Sequence, residues 1–258
     1  MSVIALPSIG LIGYGTIGRR LAAGAAERGF ARVAYVVCRS AVAASELPAG
    51  AASLTELDEA LDHDVDLVVE VAAPAVVREI AGRALRRSSL MLFSATALAD
   101  DELRAELETT CREHATNLYL PHGAGLALDG LADGRQLIRD VTVTTVKHPR
   151  SFGAGEDRAG VLFEGTTREA CMEFPRSVNV HAMVALAGVG FDVTRSRIIA
   201  DPTATSMRHE IRVRGEGLVW DLTIASQGLG GVTGSYAPAS AIGSVQRVLA
   251  AKGRMVVA

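Results

Sequence analysis

The chain has 258 residues, 49% of them hydrophobic and 21% charged, a globular profile that excludes a disordered chain. A formal net charge of −3 without a basic block excludes the footprint of a nucleic-acid binder, and no apolar stretch reaches membrane-spanning length. Aromatics are only 4%, so the core is built from Ala, Val, Leu and Ile, which suits helices packed on a parallel sheet.

The apolar start MSVIALPSIGLIGYG lacks a basic segment and reads as a first strand rather than a signal peptide. Residues 8–12 form that strand, a glycine turn follows, and TIGRRLAAGAAERGF is helical. A β-branched strand comes next at 32–38, then a short helix at 55–62 with Thr55 as its cap. A buried strand at 66–71 precedes a helix from Pro74 to residue 87, proline being at home in a first helical turn. Strand 90–94, an acid-started helix at 99–114 and strand 117–120 complete the alternation, which predicts a doubly wound parallel sheet over residues 1–121.

Beyond Pro121 the pattern changes. Residues 125–138 read as helix, and 140–147 (DVTVTTVK) alternate as a half-exposed strand. Helices are expected at 166–174 and 179–187, then strands at 195–200, 209–214 and 218–225. A Gly/Ser-rich loop at 226–235 leads to a last helix from about 238 to 251. The fold class is therefore α/β: an N-terminal Rossmann domain and a second α+β domain with a mixed sheet at 122–235. The C-terminal helix, within 236–258, is expected to pack back on the first domain. The half-exposed second sheet predicts cover by a twin subunit, hence a homodimer. Cys38, Cys111 and Cys171 lie far apart without a CxxC, so neither a disulfide framework nor a structural zinc is expected, and a reducing cytoplasm is the expected compartment.

Gly13-Tyr14-Gly15-Thr16-Ile17-Gly18 is a GxGxxG sequence that follows a strand and opens a helix. The first glycine permits the turn, the second lets backbone approach a pyrophosphate, and the third lets helix and strand pack closely. The helix N-terminus, through Thr16 and Ile17, offers amides to the phosphates. The second strand ends Cys38-Arg39-Ser40 where an acidic ribose ligand is usual. Arg39 and Ser40 suit a 2′-phosphate, so the expected cofactor is NADP or NAD, with NADP favoured.

The chain resembles the L-aspartate dehydrogenase family in GYGTIG (13–18), VVEVAAPAVV (68–77), FSATALAD (93–100), LPHGAGLALDGL (120–131), FEGTTREACMEFPRSVNV (163–180), LAGVGFDVTRSRIIADP (186–202) and RHEIRVRGEG (208–217). The resemblance implies an NAD(P)-dependent oxidoreductase that interconverts an amino acid and its 2-imino or 2-oxo acid. The second domain would hold the active site and dimer interface. It implies His209 as the acid/base residue, with Ala124 and Asn179 against the cofactor; Ala72 is a further cofactor-contact candidate. Histidine suits proton transfer near neutral pH, as imine chemistry requires.

The sequence departs from the family at His122, where a serine is expected, and at His181, where a small residue is. His181 is expected one turn along a helix from Asn179. A family Asn-Pro-Lys-Thr-Ser stretch is replaced by residues 231–235, which lose the lysine and keep Ser235. His122, Lys147 and Ser235 are the candidate substrate contacts, whereas Arg168 and Arg208 read as solvated or domain-interface charges. His63, His114 and His148 read as surface positions. No third ligand accompanies His122 and His181, so no metal is expected. The departures leave a different 2-oxo acid or imine as an alternative substrate, and a non-catalytic dinucleotide sensor as the alternative function.

Overall fold

The structure, a computed structural model, describes residues 5–228 and 234–250. It divides into two compact units, one of Met1–Ser94, Asp100–Pro121 and Pro238–Ala258, the other of Ala95–Ala99 and His122–Ala237.

The first unit holds β1 (Ser8–Ile12), β2 (Arg32–Val37), β3 (Ala52–Leu54), β4 (Leu67–Glu70), β5 (Ser89–Leu92) and β6 (Leu118–Tyr119). All pairs are parallel, in the order β3-β2-β1-β4-β5-β6. The chain order reverses between β1 and β4, and in such a sheet ligands bind outside the carboxyl ends of the strands at that point. α1 (Thr16–Arg28) buries Leu21, Ala22 and Ala25 against Ile9 and Leu11 of β1, with Val33, Leu67, Val69 and Met91 in the same core. Gly29 ends α1 in the left-handed conformation, φ 60°, which glycine adopts without strain.

α2 (Leu57–Asp62) begins two residues later than the sequence implies. Its cap position is Glu56, without a side-chain bond, rather than Thr55. The three residues of β3 place Thr55 too early to cap. α3 (Pro74–Leu85) carries its proline in the first turn, and α4 (Asp101–His114) is capped by Asp100, which accepts from the amides of Glu102 and Leu103. β3 is too short to have a periodic signature, and it is absent from the sequence-based assignment.

The second unit holds β7 (Ile138–Lys147), β8 (Gly160–Thr166), β9 (Arg195–Ala200), β10 (Ser206–Gly215) and β11 (Leu218–Gln227), with α5 (Leu128–Asp133), α6 (Thr167–Glu173) and α7 (Asn179–Ala187). The sheet order is β11-β10-β7-β9-β8. β7 and β9 are parallel and every other pair is antiparallel, so the sheet is mixed. The helix expected at 125–138 contracts to α5, which Ala127 enters at φ 59° and Gly134 ends. β8 is an edge strand whose residues are exposed or part-exposed but for Gly165, so it lacks an alternating pattern, and the sequence did not reveal it. α6 starts with a capping box, Thr166 and Glu169 satisfying each other's backbone amides. α8 (Tyr236–Leu249) is the last described helix.

Register sorts the second sheet into two faces. Val143, Thr145 and Lys147 of β7 lie beside Ser196, Ile198 and Ala200 of β9, and Val143 and Thr145 also lie beside Ile211 and His209 of β10. All of these are buried. The opposite face carries Arg197, Arg208, Arg212 and Arg214, all exposed, with the part-exposed Glu210. Among the described residues no helix is long and apolar enough to cross a membrane.

Candidate active site and dinucleotide cradle

In the first unit the glycine turn sits at the carboxyl end of β1. Gly13 has φ 100°, and its amide donates to the Val37 carbonyl at 2.9 Å. A Cβ on Gly13 would lie 2.8 Å from the Val71 carbonyl oxygen, and one on Gly18 would lie 2.5 Å from the Gly13 carbonyl oxygen. A Cβ on Gly15 would meet nothing within 4 Å. The outer two glycines are thus required by the protein's own packing, whereas the space beside Gly15 is open. Thr16 is exposed and Ile17 part-exposed at the start of α1, whose first turn carries no acid to repel an anion. Arg39 and Ser40 are exposed just beyond β2. Among the described residues Arg39 has no ion-pair partner, which leaves its guanidinium available to a phosphate. An open middle glycine, a helix N-terminus free of acids and this arginine fit a dinucleotide.

Glu70, which the sequence reading did not single out, organises the neighbouring turn. It is fully buried at the end of β4 and accepts from the Ala72 amide at 2.8 Å, the Ser94 amide at 3.0 Å and the Ser94 hydroxyl at 2.8 Å. Burial raises its pKa, opposed by those donors. The clamp fixes Ala72, whose Cα lies 3.0 Å from where a Gly13 Cβ would sit.

In the second unit the buried face gathers a polar cluster. The Thr145 hydroxyl lies 2.8 Å from His209 Nδ1 and 2.6 Å from His181 Nε2. His181 Nδ1 lies 2.8 Å from the Ser196 hydroxyl, which lies 2.8 Å from the Thr167 hydroxyl. The Thr167 hydroxyl donates to the Thr194 carbonyl at 3.1 Å. Lys147 Nζ donates to the Ser177 carbonyl at 3.4 Å and lies 5.8 Å from the Phe152 ring centroid. Burial lowers the Lys147 pKa to about 8. Burial, then the Lys147 charge, lowers that of His181 to about 3. His209 is held well below its ordinary value by burial, then Lys147, then His181. Both imidazoles are therefore neutral at neutral pH.

His209 is the fourth residue of β10, inside the strand and not at its start. His181 lies two residues beyond Asn179, about 200° round α7, rather than one turn along it. Asn179 is half-buried, and its Oδ1 accepts from the Thr96 amide at 3.3 Å. His122 and Ala124 are half-buried in the turn before α5, where the His122 carbonyl accepts from the Gly125 amide at 2.8 Å. That turn packs near α7, since a Cβ on Gly125 would lie 3.7 Å from Val180 Cγ1. The structure thus joins His209, His181 and Lys147 in one cluster and leaves His122 and Ala124 outside its hydrogen bonds. Ser235 is exposed, its amide donating to the Gln227 carbonyl at 2.8 Å, and residues 231–233 lie outside the described residues.

Arg168 is engaged by both carboxylate oxygens of Asp192, at 2.6 and 2.7 Å, and by the Ala99 carbonyl. Arg208 pairs with Glu210 at 2.9 Å. Both have protein partners. His63 and His114 are exposed and His148 half-buried.

The depressed histidine pKa values fix a stability trend. Below pH 6.5 the unfolded chain protonates these histidines and the folded one does not, so stability is lost as pH falls from 6.5 toward about 3. Denaturant unfolding from about pH 7 to about pH 5 should show this slope, shallower in His181→Gln. Equal slopes would contradict it.

Residues 10–121 match the homoserine dehydrogenase NAD-binding domain and residues 129–248 the aspartate dehydrogenase C-terminal domain. An L-aspartate dehydrogenase of Methanosarcina mazei is 36% identical over 227 residues, covering 81% of this chain and 83% of that protein. One from Archaeoglobus fulgidus is 34% identical over 209 residues, covering 81% and 82%. The crystal structure of aspartate dehydrogenase from Thermotoga maritima matches at TM-score 0.77 and 26% identity, covering 98% of this chain and 100% of that one. The chain belongs to the L-aspartate dehydrogenase family of NAD(P)-dependent oxidoreductases.

Proposed function

We propose that the protein interconverts L-aspartate and its 2-imino or 2-oxo acid, with His209 as the proton carrier and NADP favoured over NAD. The observation that carries this reading is a neutral histidine, buried but for 3% of its surface, bonded at Nδ1 and set beside a buried lysine in the unit that matches aspartate dehydrogenases. The bound dinucleotide would supply the hydride. Gly13, Gly15, Thr16, Ile17, Gly18 and Ala72 would hold it, with Arg39 and Ser40 on a 2′-phosphate and Ala124 and Asn179 as further contacts.

A neutral imidazole accepts a proton when water or ammonia adds to the C2 carbon, and returns it when the adduct collapses. Lys147 contributes a fixed cation for a substrate carboxylate, with His122 and Ser235 as further contacts. An anionic substrate would oppose the Lys147 charge, raising the His209 pKa toward the range useful for proton transfer. The charged open face of the second sheet supports a homodimer, and three free cysteines support a reducing compartment such as the cytoplasm.

Oxaloacetate and ammonium supplied together with NADPH or NADH test the reading. Reduced dinucleotide should be consumed only when both are present, L-aspartate should form, and KM should be lower for NADPH. Turnover confined to another 2-oxo acid would move the substrate. No turnover across a panel of 2-oxo acids, with tight NADPH binding, would make the protein a dinucleotide sensor.

A further inference from the structure

The polar cluster of the second unit is a single chain of hydrogen bonds running His209–Thr145–His181–Ser196–Thr167–Thr194, drawn from β10, β7, α7, β9, α6 and the residue before β9. Its last member is a backbone carbonyl, which can only accept. That end sets a direction. Thr167 spends its one hydroxyl proton on the Thr194 carbonyl, so the Ser196 hydroxyl donates to Thr167. Ser196 then has no proton left and accepts from His181 Nδ1–H. A neutral His181 bonded in this way has a bare Nε2, which accepts from the Thr145 hydroxyl. Thr145 in turn accepts from His209 Nδ1–H.

Running the chain in the opposite sense makes one bond fewer. The Thr167 oxygen and the Thr194 carbonyl oxygen would then face each other at 3.1 Å, with no proton between them. Every member but the carbonyl is a side chain buried to 3% or less, so water does not replace a lost bond. Among the described residues, Nε2 of His209 has no partner, and it is not among the buried polar atoms left unsatisfied.

We infer that this chain of hydroxyls locks His209 in its Nδ1–H tautomer and holds Nε2 bare as the proton-accepting atom, which makes Thr145, His181 and Ser196 positioning residues. The kinetic part rests on the reading of His209 as proton carrier, whereas the tautomer does not. Free histidine in water prefers the Nε2–H form, so the chain selects the minority tautomer twice, at His209 and at His181.

The direct test is long-range proton–nitrogen correlation on the 15N-labelled full-length protein at neutral pH. The expected spectrum has Nδ1 protonated and Nε2 bare at both histidines, and an Nε2–H signal on either would overturn the assignment. Ser196 is hydrogen-bonded to neither His209 nor Thr145, yet Ser196→Ala removes the link to Thr167 and should shift His209 toward the Nε2–H form. An unchanged His209 tautomer would overturn the relay. Thr145→Val should lower kcat about tenfold or more at unchanged dinucleotide KM, with Thr145→Ser restoring it. A Thr145→Val protein as fast as wild type would overturn the positioning role. Full turnover in His209→Asn would overturn the functional reading alone, leaving the tautomer to the spectrum.

Discussion

His209→Asn is expected to lower kcat for reductive amination by about 10²–10⁴-fold, the usual contribution of a positioned acid/base group. The asparagine amide can still donate to the Thr145 hydroxyl that His209 Nδ1 engages at 2.8 Å, so the buried chain keeps a partner at that end. What is lost is the nitrogen able to take up and release a proton. The dinucleotide fingerprint lies in the other unit, so the dissociation constant for NADPH should stay within about twofold of wild type. His209→Ala removes the ring and leaves the Thr145 hydroxyl short of a bond, which adds a stability cost of about 1–3 kcal/mol. Comparing the two variants separates chemistry from folding. Equal turnover in wild type and His209→Asn would remove His209 from the reaction.

The glycine turn allows a second separation. Gly13→Ala is expected to destabilise the fold by about 1–3 kcal/mol and to weaken NADPH binding. Its Cβ would meet the backbone of Val71 and Ala72 at a φ of 100°, and neither backbone is free to retreat while Glu70 grips the Ala72 amide. Gly15→Ala should behave differently. Its Cβ has no neighbour within 4 Å and its φ is −80°, so thermal unfolding of the free protein should stay at the wild-type midpoint. A dinucleotide phosphate approaching that backbone would strike the new methyl group, and affinity should fall at least about tenfold. Calorimetric unfolding and NADPH titration of the two variants read this directly. Unchanged affinity in Gly15→Ala would mean that the open space is not the phosphate site.

The first half of the molecule was legible because its signals are local. Strand, glycine turn, helix and second strand follow one another between Ser8 and Val37, and each is set by neighbours in sequence. The β3 strand and the edge strand β8 were not legible, since three residues carry no period and a part-exposed edge carries no alternation. His209 entered through family resemblance, and its burial inside β10 depends on register against Thr145 and Ile224, which sequence does not display. The relay was hidden for the same reason. Its side-chain links join residues 64, 36, 15 and 29 positions apart, and Thr145, Ser196 and Thr167 are residue types found on any strand or helix start. His181 stood out as a departure from the family, but only the fold turns that departure into a bridge between Ser196 and Thr145. Glu70 was hidden within an apolar strand and explains itself only through the two turns it ties together.

The central claim, that the chain delivers hydride from a bound dinucleotide to the C2 carbon of an imino acid, is tested most directly with a labelled cofactor. Reductive amination of oxaloacetate is run with NADPH deuterated at the transferring position, and the product is examined by mass spectrometry. The expected product is L-aspartate carrying one deuterium at C2. Unlabelled aspartate, or reduced dinucleotide left unconsumed in the presence of oxaloacetate and ammonium, would contradict it.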